Sequence, residues 1–421
     1  MINKDSQRLK RVIELLMESS SRINEAKPQR YWYPLAMANY GMEEVIEAID
    51  SLCSFRTTMW EKTNKFENRF SSYQGCAKAV MVNSGSSANL LLSFLLTNPR
   101  NSILKKGDYV LVPVVTWPTH IWSPMMAGLN VRLVDVDPAT LNINIEDLER
   151  KISSKTKAIF LVHLLGNPCD MDQILEIAES HQLLIIEDCC EALGSEWDGT
   201  KVGNFGWGGT FSFFFSHHIV TMEGGMIACK DIGIADDLKI LRAHGWLRNV
   251  DPEYCDLEGY DLDPRYAFVN WGFNVRPTEL QAGFGLQQLE KLPFLNKRRS
   301  ILAEKFFAFI DETIFLTRPK VHQKAKPNWF AVPVLVMKDA PFTRNEITNY
   351  LEDCGIETRP IVAGNIARHP VARLFKGSFT ESYPGADIVH ASGFYIGLLP
   401  LQPDDNMERL LDCLHKFLNR Y

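Results

Sequence analysis

Short β-rich runs alternate with longer helical patterns through the first two thirds of this chain, and this alternation restricts the fold more than any other feature. The runs are almost continuously apolar, which is typical of parallel strands that are buried on both faces. Segments with helical periodicity lie between several of them, for example 145–152 and 171–181. We therefore predict an α/β fold in which helices cover both faces of a mostly parallel sheet. The predicted strands are 79–83, 109–113, 131–134, 158–162, 183–187, 210–215 and 225–228.

The rest of the chain suggests two further parts. An amphipathic pattern over residues 8–24 predicts a helix, and we treat residues 1–30 as a helical N-terminal extension. Residues 31–297 are predicted to form a large domain, and the mixed pattern over 298–421 predicts a smaller C-terminal α/β domain. The last element of the large domain should be a helix that has Pro277 in its first turn and ends or kinks at Pro293.

Composition excludes several classes of protein. A chain of 421 residues with 46% hydrophobic content can bury a large core, and its net charge of −6 argues against a nucleic-acid or anionic-membrane partner. No apolar run approaches the roughly 20 residues that span a bilayer, and the N-terminus lacks the pattern of a signal peptide. Nine scattered cysteines favour reduced thiols, so we expect a cytoplasmic protein.

Small and hydroxyl residues follow two of the predicted strands. Gly85 and Ser86 stand between a strand and an apolar helix, where free backbone N–H groups can hold a phosphate. Taken alone, this turn is also typical of an ordinary serine N-cap. Ser212 and Ser216 flank the end of a later strand and can complete a phosphate site.

Asp188 and Trp117 also lie at strand ends, which face the ligand crevice in open α/β sheets. A carboxylate such as Asp188 can keep a pyridine nitrogen protonated, although a helix N-cap or a surface carboxylate is an equally good interpretation of it alone. Trp117 can stack on a flat ring, but such a tryptophan more often belongs to the core.

The tandem pair His217-His218 follows Ser216. Adjacent side chains point in different directions, so this pair is a poor metal site, and we predict no metal. An imidazole can move protons near neutral pH. The polar-aromatic loops that contain His244 and Arg248, and Asn274 and Arg276, suit recognition of phosphate or carboxylate, with a solvated loop as the alternative for each.

In this order the segments resemble the nucleotide-sugar aminotransferases that use pyridoxal phosphate, from about Tyr31 to the C-terminus. The likeness is carried by the segments 83–92, 183–195, 209–225, 242–249, 272–279 and 355–365. In that family a lysine holds the cofactor as a Schiff base at the position of His217, and an imidazole cannot form that bond. The resemblance implies the fold type I aminotransferase architecture with a seven-stranded sheet.

The resemblance also implies roles for the site residues. Gly85, Ser86 and Ser212 would hold the cofactor phosphate with Ser216 close by, Trp117 would stack on the ring, Asp188 would pair with its nitrogen, and Glu191 would lie nearby. Asn274 would reach the cofactor, and Arg276 the phosphate or the substrate, from the partner subunit of a homodimer. His217 and His244 would be catalytic, and Arg248 would bind substrate.

The implied activity is that of the sugar 3-dehydratases that have histidine in place of the lysine. The cofactor would be pyridoxal or pyridoxamine phosphate, bound non-covalently, with L-glutamate as amino donor and a nucleotide-linked 4-keto-6-deoxyhexose as substrate, in a dideoxysugar pathway for glycans such as lipopolysaccharide. We expect GDP-4-keto-6-deoxymannose as that substrate. A CDP-sugar dehydrase with an iron–sulfur cluster is the alternative, but Cys189, Cys190 and Cys255 are too few for four thiolate ligands, so we predict no cluster. Two further interpretations remain. One is a non-catalytic homologue that acts as a binding protein, and the other is an aminotransferase that uses Lys201 or Lys230.

Overall fold

A computed structural model describes residues 10–19 and 30–421 of the protein. Residues 10–19 are helical (α1), and the further helices are α2 (Met42–Cys53), α3 (Glu61–Gln74), α4 (Gly85–Leu96), α5 (Thr119–Met126), α6 (Ile145–Arg150), α7 (Met171–His181), α8 (Ile232–Arg242), α9 (Glu279–Asp311), α10 (Arg344–Asp353), α11 (Pro384–Ser392) and α12 (Asp404–Leu418). The strands are β1 (Lys78–Val82), β2 (Tyr109–Pro113), β3 (Asn130–Val134), β4 (Thr156–Val162), β5 (Leu184–Asp188), β6 (Glu196–Trp197), β7 (Thr200–Lys201), β8 (Gly208–Ser212), β9 (Gly225–Cys229), β10 (Leu316–Thr317), β11 (Ala325–Lys326), β12 (Ala331–Val336), β13 (Thr358–Pro360) and β14 (Gly393–Gly397).

The central sheet has seven strands in the order β1-β9-β8-β5-β4-β2-β3. Strand β9 runs antiparallel to its neighbours β1 and β8, and the other neighbouring strands are parallel. Every predicted run contributes a strand to this sheet. The prediction of a mostly parallel sheet is therefore confirmed.

Both faces of the sheet are buried, as the continuous apolar runs predicted. In β1, Val80 and Val82 join a core with residues of α4 and α8. Ala79 and Met81 point to the other face and pack with residues of α3 and α9. Side chains that alternate between two cores require an apolar residue at each strand position.

Two predicted element boundaries were wrong. The strand β8 ends at Ser212, and residues 213–215 of the predicted run belong to the loop that leads to His217. Helix α9 begins after Thr278, whose hydroxyl and Gln281 form a capping box, so Pro277 precedes the helix. The same helix continues through Pro293 to Asp311.

The C-terminal part has its own core and its own four-stranded sheet, β10-β12-β14-β13. Leu302 and Phe306 of α9 pack into this core, whereas Leu286 and Leu292 of the same helix pack against the large sheet. The division proposed after residue 297 thus falls within α9. A third, three-stranded sheet has the order β11-β6-β7.

Part of the predicted N-terminal extension lies outside the described residues. Within α1, Ile13 is buried while Val12 and Leu16 are exposed, and the predicted positions Leu9 and Ile23 are not among the described residues. None of the helices described is long and apolar enough to cross a membrane. All nine cysteines are described, and all are free thiols.

Candidate active site

The carboxyl ends of the parallel strands open onto a cavity of about 440 Å³. This volume lies within the range of about 300–1,000 Å³ that is usual for small-molecule sites. Most of the predicted site residues line it. They are Gly85, Ser86, Trp117, Asp188, Glu191, Ser212, Ser216 and His217.

One end of the cavity is formed by the first turn of α4. The hydroxyl of Ser84 caps this helix by accepting the N–H of Ser87 at 3.1 Å, so the turn also contains a serine N-cap. A Cβ atom on Gly85 would lie 2.5 Å from the Cβ of Ser212 and 3.1 Å from the sulfur of Cys190. The helix terminus and Ser212 can approach this closely only because residue 85 is glycine. The result is a narrow polar pocket with the geometry of a phosphate cradle.

Asp188 ends β5 and is held on both carboxylate oxygens. Its Oδ1 accepts the N–H of Cys190 at 2.9 Å, and its Oδ2 accepts Nδ2 of Asn89 at 2.8 Å. Nδ1 of His120 lies 3.5 Å from the same Oδ2. The amide oxygen of Asn89 accepts the hydroxyl of Thr210 at 2.8 Å, which fixes the amide orientation. The carboxylate therefore has one defined position at the cavity wall.

The neighbouring carboxylate, Glu187, has a structural role. It is fully buried and accepts backbone N–H groups of Gly203, Phe205 and Gly206 at 2.6 to 2.8 Å. Nε2 of His163 lies 3.2 Å from its Oε2. Of the two acidic residues that end this strand, Asp188 lines the cavity and Glu187 anchors the loop before β8.

His217 lies on a loop fastened between β8 and β9, where its own N–H donates to the carbonyl of Phe214 at 2.9 Å. Burial lowers the pKa of His217 to about 4; Asp188 opposes this shift and Arg299 adds to it. The imidazole is therefore a neutral base at pH 7. His218 is directed elsewhere, with Nε2 3.0 Å from the carbonyl oxygen of Asn328, and burial holds its pKa well below the usual value.

Glu191 and Trp117 complete the predicted set. Burial, with a smaller contribution from Asp188, raises the pKa of Glu191 to about 7, although its Oε2 accepts the N–H of Leu165 at 2.9 Å. This carboxyl group is thus partly protonated at neutral pH. Trp117 is 61% exposed at the cavity wall, so its interpretation as a core residue was wrong.

Four predicted residues do not line this cavity. His244 is exposed and has a left-handed backbone (φ 65°), and the guanidinium of Arg248 lies 4.9 Å from the ring of Trp246. Asn274 accepts a hydrogen bond from Nε of Arg276 at 2.9 Å. The single chain does not bring these side chains to its own cavity.

The sequence interpretation missed Asn89, His120, Phe330 and Tyr395. Asn89 follows Gly85 by one helical turn, so the i, i+4 rule places it on the same helix face and was an available signal. Phe330 and Tyr395 line the cavity from β-strands of the C-terminal part or their flanks, where no motif marked them. Cys190 lines the cavity as well.

Comparison with known proteins places this chain in a family of sugar-modifying enzymes. The profile of the DegT/DnrJ/EryC1/StrS aminotransferase family matches residues 38–415. A GDP-4-keto-6-deoxy-D-mannose 3-dehydratase of Yersinia pseudotuberculosis is 37% identical over 393 residues, which cover 91% of this chain and 98% of the relative.

Two solved structures of GDP-4-keto-6-deoxymannose 3-dehydratase are also similar. One, a histidine-to-asparagine variant with bound GDP-perosamine, is 35% identical with a TM-score of 0.86, covering 91% of this chain and 100% of that chain. The other contains a trapped PLP–glutamate geminal diamine, and it is 35% identical with a TM-score of 0.85 at the same coverage.

Proposed function

Because the chain belongs to the DegT/DnrJ/EryC1/StrS aminotransferase family, we propose that it is a pyridoxamine-phosphate-dependent 3-dehydratase of a nucleotide-linked 4-keto-6-deoxyhexose. The proposed substrate is GDP-4-keto-6-deoxymannose and the amino donor is L-glutamate, in keeping with the names and ligands of the similar proteins. The observation that carries the proposal is His217 on the cavity wall, in a cavity that no lysine lines among the described residues.

The cavity fits a pyridoxal-type cofactor. The first turn of α4, with Gly85 and Ser86, and the hydroxyl of Ser212 would hold the phosphate. Asp188 would face the ring nitrogen, Trp117 would stack on the ring, and Glu191 and Ser216 would lie beside it. A Cβ on Gly85 would fill this cradle, which explains the glycine.

Different residues of this chain would take different parts in the reaction. When bound, pyridoxamine phosphate supplies an amine for the substrate ketone and a ring that can hold an electron pair. Asp188 keeps a proton on the ring nitrogen. His217, which is neutral near pH 7, would remove a proton from the C4′ carbon of the bound cofactor. It would then deliver this proton to the C3 hydroxyl of the sugar as that group leaves. In the balance the sugar loses one oxygen, glutamate becomes 2-oxoglutarate, and ammonia is released.

The residues that do not reach the cavity fit a homodimer. Asn274 is exposed, Arg276 is partly exposed, and both belong to the loop that precedes α9. We propose that this loop, with His244 and Arg248, completes the site of the partner subunit. His244 would then orient the sugar or protonate the leaving hydroxyl.

An aminotransferase that uses another lysine is disfavoured by the positions of both candidates. Nζ of Lys201 donates to the carbonyl of Tyr73 at 2.7 Å, and Lys230 is exposed beyond the end of β9. Neither side chain lines the cavity.

The test is mass spectrometry of GDP-4-keto-6-deoxymannose after incubation with the protein, pyridoxal phosphate and L-glutamate. We expect the sugar to lose one oxygen, with one ammonia and one 2-oxoglutarate formed per sugar. An amino sugar without free ammonia would show an aminotransferase and refute the proposal. If this sugar is unchanged, the CDP-linked 4-keto-6-deoxyglucose should be assayed next, first alone and then with an electron donor.

Two variants separate the role of His217 from a general loss of structure. His217→Asn should bind cofactor and lose deoxygenation, because an amide does not carry a proton between two positions. His181→Asn, at an exposed position at the end of α7, is the matched control and should keep wild-type activity.

A further inference from the structure

A second, smaller cavity lies next to His217. Its volume is about 20 Å³, and it is lined by residues 35–39, 215–217 and 398–401 together with Arg299 and Phe330. Ser216, His217 and Phe330 line the large cavity too, so His217 stands between the two spaces. Among the described residues that line the small cavity, Arg299 and His217 are the ionisable ones.

The guanidinium of Arg299 is a buried positive charge at this cavity, and none of the described carboxylates pairs with it. It is 4% exposed, its Nη1 donates to the carbonyl of Phe330 at 2.9 Å, and its Nε has no hydrogen-bond partner. Within the described parts of the chain, no carboxylate lies within 4.0 Å of the guanidinium. Burial lowers the pKa of Arg299 to about 10, so the group stays charged at neutral pH. A buried charge without a partner is costly, and a bound anion removes that cost.

We propose that the small cavity binds one inorganic monoanion of the size of chloride at Arg299, and that this anion offsets the guanidinium charge beside His217. A volume of about 20 Å³ admits a single water-sized particle, since a water needs roughly 10–15 Å³ by this measure. A monatomic anion fits this space better than the larger phosphate ion. The two histidines and the phenol of Tyr33 are the other titratable groups that interact with Arg299, and none of them is an anion at neutral pH.

The site has a consequence for catalysis that rests on the proposed function. The charge of Arg299 disfavours a proton on His217, and Asp188 favours it. An anion bound to the guanidinium cancels part of the charge of Arg299 and so weakens its effect on the pKa of His217. His217 then becomes a stronger base. We expect its titration midpoint to rise by on the order of one pH unit in chloride.

The experiment compares chloride with gluconate at equal ionic strength on the full-length protein. Chloride should raise the unfolding midpoint of the wild type, and crystals soaked in bromide should show an anomalous peak in contact with the Arg299 guanidinium. NMR titration of His217 should show the upward shift. No nucleotide sugar is involved, so this test fails or succeeds independently of the dehydratase assay.

Three variants sharpen the test. Arg299→Met should abolish the chloride response, and Ala38→Asp, which places a carboxylate on the cavity wall, should do the same in case the first variant folds poorly. Arg298→Met is the matched control, because Arg298 already pairs with Asp404 and its loss should leave the response intact. A chloride response that persists in both Arg299→Met and Ala38→Asp, or a bromide soak with no peak at Arg299, refutes the site.

Discussion

Replacing Asn89 by leucine tests the support that the fold gives to Asp188. Leucine has a similar volume but removes both ends of the amide, which joins the Oδ2 of Asp188 to the hydroxyl of Thr210 with two bonds of 2.8 Å. Thr210 is fully buried and does not line the cavity, so its hydroxyl would be left without a partner. The substitution therefore isolates one link between α4, β5 and β8.

The expected cost follows from those contacts. A hydrogen bond to a charged group contributes about 1.5–3 kcal/mol, and a buried hydroxyl left without a partner costs about 1–3 kcal/mol. We expect the free energy of unfolding of the apoprotein to fall by about 3–5 kcal/mol, measured by urea denaturation. The affinity for pyridoxal phosphate should also fall at least about tenfold, because Asp188 loses the donor that orients it.

The chain offers a matched control in a second asparagine–aspartate pair. Nδ2 of Asn101 donates to Oδ2 of Asp237 at 3.1 Å, far from the cavity and at an exposed asparagine. Asn101→Leu should cost less than about 1 kcal/mol and leave cofactor affinity unchanged. If Asn89→Leu behaves like this control in both assays, the role assigned to Asn89 is wrong.

Three further predictions concern the same cavity. Gly85→Ala places a Cβ 2.5 Å from that of Ser212, so pyridoxal phosphate affinity should fall at least about tenfold in a fluorescence titration, whereas Gly233→Ala, on open surface, should not change it. Because Glu191 keeps its proton up to a pKa of about 7 in the folded state, the unfolding free energy should fall between about pH 4.5 and 7. Glu191→Gln should flatten this slope and add about 3 kcal/mol above pH 7, and an unchanged slope in urea titrations contradicts this. With a pKa of about 4 for His217, the deoxygenation rate should show no His217-dependent acid limb above about pH 5 in low chloride, and a limb near 6.5 would disprove the shift.

The strands were predictable because burial on two faces leaves a continuous apolar signal. The run ending at Phe215 shows the limit of that signal. Phe213 is apolar because it packs on Phe66 and Phe70 of α3, outside the sheet, whereas Phe214 and Phe215 are exposed near the cavities. An apolar run reports burial, and it does not report which element provides the burial.

Helix α9 shows how tertiary packing overrides a local signal. Pro293 removes one hydrogen-bond donor and favours a break, but the helix carries apolar residues into two separate cores on either side of that residue. The free energy gained by burying Leu292 and Leu295 against the body outweighs the lost bond. Sequence periodicity alone did not show whether the burial of these leucines would outweigh the hydrogen bond lost at Pro293.

The cavity residues were predictable to the extent that they follow strand ends. Asp188 and Ser212 lie at such ends, and chain topology brings these ends to one edge of the sheet. The contacts that orient Asp188 come from Asn89, which lies 99 positions earlier in the chain and is itself held by Thr210, 121 positions later. Such pairs leave no local pattern, so the support of the site became visible only in the fold.

The environments of His217 and Glu191 argue against a homologue that has lost its chemistry. Burial, reinforced for His217 by Arg299, lowers the pKa of this imidazole, whereas burial beside Asp188 raises that of the Glu191 carboxyl group. Near pH 7 the cavity therefore offers a neutral imidazole that accepts a proton and a partly protonated carboxyl group that donates one. Displaced pKa values of this kind cluster at functional sites, and keeping two such groups buried costs stability. The two displaced pKa values therefore agree with the proposed proton transfer by His217, which the His217→Asn variant tests.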